Sequence, residues 1–108
     1  MVIEYIRYKV APSERQELVA AYTQAADLLK ASPYCLAYEL SECEEEAGQF
    51  MLRIEWTSTQ EHLDGFRKSE LFPPFFALVK GFFSQIQEMR HYQLTSVQWK
   101  KGNPIEMV

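Results

Sequence analysis

Glycine is scarce in this 108-residue chain: four residues, none arranged as a loop that could cradle a phosphate. Walker-type and dinucleotide-binding loops need several glycines at fixed spacing, so a Rossmann-type nicotinamide or flavin site is excluded. Histidine is scarcer still. His62 and His91 lie far apart in the chain, without cysteine or aspartate at ligand spacing, and no metal motif can be read. The two cysteines, Cys35 and Cys43, form no redox or zinc pattern. Cys35 sits in an apolar run and reads as a small core residue. Cys43 lies in the acidic "SECEEEAG", where neighbouring carboxylates disfavour a thiolate. There is no basic stripe: the net charge is −4, and Lys100 with Lys101 is too small a cluster to track a phosphate backbone, so no nucleic-acid partner is expected. No apolar run approaches the roughly 20 residues that span a bilayer, so no membrane partner is expected. The opening "MVIEYIRYKV" is patterned as a strand and not as a secretory leader, which gives the expectation of a cytoplasmic protein.

What is present is a globular composition, 47% apolar and 14% aromatic, in a length that suits one domain. Residues 2–10 are rich in β-branched and aromatic side chains, as strands are. Ser13 and Gln16 form a capping-box pattern before a helix over about 14–30. Its apolar face is Leu18, Tyr22, Ala25 and Leu29, widened by Val19 and Leu28, and Pro33 stops it. Residues 34–42 and 50–56 alternate and read as a hairpin around the polar turn "CEEEAGQ". Ser58 with Glu61 is a second capping box, opening a short helix. Ser69 opens another segment, whose body begins near Pro73 because prolines are tolerated in a first turn, and which ends around Gly81. Residues 84–94 form the last strand. The order β-α-β-β-α-β predicts an α+β, ferredoxin-like sandwich with a four-stranded antiparallel sheet and helices on one face. Residues 1–95 form the domain, and 96–108, with Gly102 and Pro104, a C-terminal extension.

Leu36, Tyr38, Leu40, Leu52, Ile54 and Trp56 suit the helix-covered face. Ala37, Glu39, Met51, Arg53 and Glu55 fall on the other, joined by His91 or Arg90 from the last strand. Such a mixed face is either wet or covered by a second copy with charges paired across it; a homodimer is the preferred reading. The phase of the first strand stays open, because Glu4 shares parity with Ile6 and Tyr8.

Three stretches, "YKVAPSERQELVAAY", "SPYCLAYEL" and "FMLRIEWTSTQEHLDGFRKSELFPPF", resemble the antibiotic biosynthesis monooxygenase domain over roughly residues 2–94. The most specific part is the strand ending in Trp56, then Ser58, the short helix with His62, and the Ser and Phe that open the next helix. The resemblance implies a homodimer whose sheets pair into a dimeric α/β barrel, with an apolar pocket between sheet and helices in each subunit. Members include monooxygenases that oxidise polycyclic phenols or quinols with molecular oxygen and no cofactor; others degrade haem. Where relatives often carry a second histidine one turn after the His62 position, this chain has Phe66. At the positions that haem-degrading members use it offers Ile6, Gly65 or Phe66, and Phe75 or Phe76, so haem is disfavoured.

Cofactor-free oxygenation needs a base, a donor for the oxyanion and a dry pocket. His62 is the candidate base, against its reading as an exposed residue in a helix's first turns. Trp56 is a candidate donor to a substrate oxygen, or a core residue with its N–H on a backbone carbonyl. Tyr38 and Tyr8 can each donate to a phenol or act as a base. Phe66, Phe72 and Phe76 are candidates for an aromatic wall around a planar substrate, Tyr8 with them. The expected function is a cofactor-independent monooxygenase of a small phenolic or quinol-like aromatic, with no cofactor or metal. The competing readings are a non-catalytic small-molecule-binding module and a haem-handling protein.

Overall fold

The computed structural model describes residues 1–102. Strand β1 is Val2–Lys9, helix α1 is Arg15–Ala31, β2 is Cys35–Glu42 and β3 is Gln49–Trp56. A short π-helical segment, Glu61–Phe66, precedes helix α2, Phe72–Val79; a 3-10 segment, Lys80–Gln85, leads into β4, Ile86–Gln93. The sheet runs β2-β3-β1-β4 and every neighbouring pair is antiparallel. This is the α+β split-βαβ arrangement that the element order predicts. The C-terminal extension lies outside the last strand, and its residues from 103 onwards, Pro104 among them, lie outside the described residues.

The buried face of α1 is Leu18, Tyr22, Ala25 and Leu29, the stripe that the helical spacing predicts. Leu28 packs against that core from its edge, whereas Val19 is 45% exposed and does not widen the face. The first capping box does not form. Pro12–Glu14 make a 3-10 turn closed by Glu14 N–H on the Ala11 carbonyl, so α1 begins after Ser13 without a side-chain cap. The second forms in its first half: Glu61 N–H donates to Ser58 Oγ at 3.0 Å, while the Glu61 carboxylate accepts from the Ser58 hydroxyl at 3.3 Å in place of its backbone N–H. Pro73 and Pro74 sit in the first turn of α2, where their missing N–H groups cost nothing. That helix closes at Val79, two residues before Gly81.

Two irregularities in the sheet re-aim side chains that simple alternation misplaces. In β2 the pairing steps from Cys35↔Trp56 to Ala37↔Glu55, leaving Leu36 as the extra residue. Leu36 is therefore 54% exposed instead of inward, while Cys35, Tyr38 and Leu40 pack against the core. In β4 the pairing steps from Arg7↔Glu88 to Tyr8↔Ile86, skipping Gln87. Ile86 thereby shares the helix-covered face with Met89 and His91, which oppose Ile6 and Glu4. Burial settles the phase of β1: Glu4, Ile6 and Tyr8 point under the helices. His91 joins them, and Arg90, paired with Tyr5, goes to the opposite face. On that face Arg53 bridges Glu55 at 3.3 Å and Glu39 at 3.7 Å, a structural ion cluster.

The β2–β3 turn is tied down by glycine and charge. Gly48 has φ +88°, and a Cβ there would stand 2.2 Å from the Val10 carbonyl oxygen, so the close approach of the two chains requires glycine. Glu42 accepts from Arg15 and from Gly48 N–H, joining the start of α1 to the turn. Those two donors hold the Glu42 carboxyl below its ordinary value. A depressed folded-state pKa adds stability above the ordinary carboxylate range and loses it as pH falls through the depressed value; solvent screening keeps the amount small. Glu42→Gln is thus expected to melt below the parent at pH 7, with the gap closing as pH falls below the ordinary carboxylate range; a gap of constant size across a pH series of melting curves would contradict this origin.

Candidate functional site

A cavity of about 300 Å³ opens between the sheet, α1, the short helix and α2. Its floor is the inward face of the two central strands: Glu4, Ile6 and Tyr8 from β1, Ile54 and Trp56 from β3. The short helix adds His62, Phe66 and Arg67, and the α2 region adds Phe72, Phe75, Phe76 and Phe83. The aromatic rings meet largely edge to face. Phe66 stands at 90° to Phe72 and 79° to Phe75, and Phe76 at 78° to Phe83. Such contacts favour order over sliding, so the wall is preformed.

The cavity's polar end is built around a carboxylate. Glu4 is 2% exposed, in the middle of the sheet, and accepts the Trp56 indole N–H at 3.0 Å. The Trp56 ring in turn stacks on His62, with centroids 4.2 Å apart and planes 13° from parallel. His62 Nε2 lies 3.6 Å from Glu4 Oε1, and His62 Nδ1 lies 2.7 Å from His91 Nε2. At that separation one imidazole nitrogen must donate and the other accept. Glu4, His62 and His91 thus form a continuous polar line. It starts at the cavity and ends at a shallow surface groove that His91 lines beside Thr57 and Ser58.

Burial decides the charge states along that line. It raises the Glu4 carboxyl, against the opposing pull of the Trp56 hydrogen bond and the Arg67 charge. It lowers His62 to about 3, with the positive charge of Arg67 and the proximity of His91 adding to it. His91 is lowered by the same burial and by Arg67. Both imidazoles are therefore neutral near pH 7, and the one that donates in the bond between them keeps its lone pair free. At the other end Tyr8 and Tyr22 hydrogen-bond to one another through their hydroxyls, and burial raises both phenols.

Six of the residues singled out from sequence, His62, Trp56, Tyr8, Phe66, Phe72 and Phe76, line this one cavity. Tyr38 does not: it borders a separate groove between α1 and β2, on the far side of the core. His62 is 3% exposed, contrary to its reading as a solvent-facing residue of a first helical turn. The indole of Trp56 is committed to Glu4, neither to a backbone carbonyl nor to open space. Four participants carried no signal that sequence reading used: Glu4, Tyr22, Arg67 and the meeting of His91 with His62. The parity of Glu4 with Ile6 and Tyr8 was the one visible hint of a buried carboxylate.

The family model described as antibiotic biosynthesis monooxygenase matches residues 1–78. The chain belongs to the antibiotic biosynthesis monooxygenase family. An uncharacterised protein of Bacillus subtilis (strain 168), YczJ, is 29% identical over 93 residues, covering 86% of this chain and 98% of that one. Solved structures share the fold. A Bordetella bronchiseptica protein assigned to the same monooxygenases superposes with a TM-score of 0.72 at 22% identity, over 87% of this chain and 96% of its own. Rv0793 from Mycobacterium tuberculosis gives 0.65 at 20% identity, over 91% of this chain and 96% of its own.

The π-helical geometry of the short helix brings its residues onto the cavity: Arg67 N–H bonds the His62 carbonyl, five residues back. The segment also sits close on the loop before β2, and Gly65 permits this, because a Cβ there would fall 2.4 Å from the Tyr34 ring. Overpacking of that kind costs about 1–3 kcal/mol, against at most about 1 kcal/mol of gain in helix propensity. Gly65→Ala is expected to lower the urea midpoint; an unchanged or higher midpoint would mean that Tyr34 yields freely.

Proposed function

We propose that the protein is a cofactor-independent monooxygenase acting on a small phenolic or quinol-type aromatic bound in the 300 Å³ cavity. The observation that carries this reading is the union of an aromatic wall with a buried proton-accepting line, Glu4–His62–His91, at one end of one cavity. Family membership supports a monooxygenase or small-molecule-binding role. The cavity lies at the small end of the usual ~300–1,000 Å³ range for ligand sites, which favours a two- or three-ring substrate.

A planar quinol would lie against Phe66, Phe72 and Phe76 with its hydroxyl toward His62. The hydroxyl proton passes by way of the His62 imidazole to Glu4, whose carboxyl burial makes the more basic of the two; His62, lowered to about 3, hands the proton on and does not hold it. Arg67 at the cavity edge stabilises the resulting oxyanion. The electron-rich anion then reduces molecular oxygen directly. One oxygen atom enters a ring carbon, the other leaves as water, and the quinol supplies all four electrons as it becomes a hydroxyquinone. His91, at the surface end of the line, exchanges protons with solvent, and the proton taken from the quinol is matched by one returned to the oxygen that leaves as water. The apolar walls exclude water from the charged intermediate. Trp56 acts here as a positioning residue for Glu4, and Tyr38, remote from the cavity, has no part.

Oxygen uptake with a panel of naphthoquinols and anthrones tests this. His62→Ala is expected to lower turnover about 10²–10⁴-fold, the usual contribution of positioned acid–base groups, while Tyr38→Phe leaves it unchanged. No turnover on the panel would favour a binding module that catalyses nothing; undiminished turnover in His62→Ala would remove that residue from the proton route.

The same reading includes a homodimer joined through the open sheet face. Tyr92 stands 44% exposed there, edge-on to Tyr5, and Arg53 is already held between two carboxylates. Light scattering at micromolar concentration is expected to give twice the 12.7 kDa chain mass; the single-chain value would contradict it.

A further inference from the structure

Glu4, His62 and His91 come from β1, the short helix and β4, and each offers one ligand atom, all within 4.8 Å of one another. Glu4 and His91 are directly opposed in the β1–β4 ladder, so strand register brings them together. The capping box at Ser58 and Glu61 starts the helix that delivers His62 above them. We infer that these three side chains form a binding site for one divalent transition-metal ion.

The donor set selects the ion. Two imidazoles and one carboxylate suit zinc, cobalt or ferrous iron, whereas magnesium and calcium prefer oxygen ligands throughout. A four-coordinate ion with bonds of about 2.0–2.2 Å sets its ligand atoms roughly 3.3–3.5 Å apart. The 2.7 Å contact to His91 uses His62 Nδ1 and the 3.6 Å approach to Glu4 uses His62 Nε2, so an ion takes one of the two nitrogens; with one atom from each residue the three ligands lie within 4.8 Å, and rotation of the half-buried His91 and of the His62 ring draws them to the tetrahedral spacing. The surroundings already hold the ligands in place. The Trp56 N–H orients Glu4 and the Trp56 ring stacks on His62, the outer contacts that fix metal ligands in established sites.

Three protein ligands leave a coordination position open, and Glu4 and His62 both line the cavity. One carboxylate does not neutralise a dication, and Arg67 adds a further positive charge beside it. The open position therefore favours an anion: hydroxide, or the ionised oxygen of a phenol. The inference stands apart from the oxidation reading, because the cluster can hold an ion whether or not the cavity turns over a quinol. Loading would occupy a lone pair that the proton route through His62 needs.

The test uses the full chain, stripped with chelator and dialysed against Zn2+ or Co2+, with metal content by elemental analysis and the Co2+ site followed by visible absorption. One ion per chain is expected, undisplaced by excess Mg2+ and accompanied by a rise in melting temperature. His91→Ala and Glu4→Gln are each expected to weaken Zn2+ binding about tenfold or more; the second keeps an acceptor for Trp56 and carries the test alone should the first not fold. The acidic tip around Cys43 is the competing surface site, and Cys43→Ser is expected to change nothing. Substoichiometric metal, or binding that survives both cluster variants and falls with Cys43→Ser, would overturn the inference. Metal binding by a chain whose metal-free form oxidises no quinol would leave it standing and remove the oxidation reading; oxidation by the metal-free chain without metal binding would do the reverse.

Discussion

A carboxylate in the middle of a sheet is the constraint around which this molecule is arranged. Glu4 lies on β1, with β3 on one side, β4 on the other and helices above, so its side chain is almost wholly withdrawn from solvent. Leaving such a group unanswered costs several kcal/mol. The answer is supplied from three directions: the Trp56 indole from β3, His62 from the short helix, and His91 from the facing position on β4. Each of these contacts needs a different part of the fold in register, so the polar centre and the topology depend on one another. The joint from β3 into the short helix delivers two of the three, Trp56 and His62.

Around that centre, core and cavity are one aromatic body. Phe66 and Phe75 are buried core residues and cavity walls at once, and Phe72 and Phe76 extend the aromatic cluster outward through tilted contacts. A small domain has little apolar surface to spare, so a cavity must be lined by side chains that hold each other rather than by ones that need its contents. The Tyr8–Tyr22 pair closes the opposite end on the same principle, satisfying two hydroxyls internally and leaving the space between them and Glu4 apolar. A site that is dry, preformed and polar at one end suits chemistry in which a buried anion must be formed and kept from water.

Much of the architecture was legible from local pattern. The face of α1, the hairpin, the Ser58 cap and the paired prolines of α2 each rest on interactions within a few residues, and the structure repeats them. The departures have local causes that alternation cannot carry. A bulge at Leu36 turns that side chain out, a skipped residue at Gln87 moves His91 and Met89 under the helices, and a 3-10 turn replaces the cap at Ser13. Of the site, the aromatic wall, Trp56 and His62 were visible as residue types. Tyr38 was misplaced because sharing a sheet face with Trp56 does not mean reaching the same cavity: β2 is the edge strand, and Tyr38 borders the α1 side.

By itself, the sequence determined the elements, their order and the apolar composition of whatever the helices cover, because periodicity and capping are read over short spans. Only the tertiary structure decided that Glu4 is buried, that His62 and His91 touch, and that Arg67 looks into the cavity. Those facts depend on strand register and on the seating of one short helix, both set by contacts between residues remote in the chain. A pattern along one segment holds no record of them.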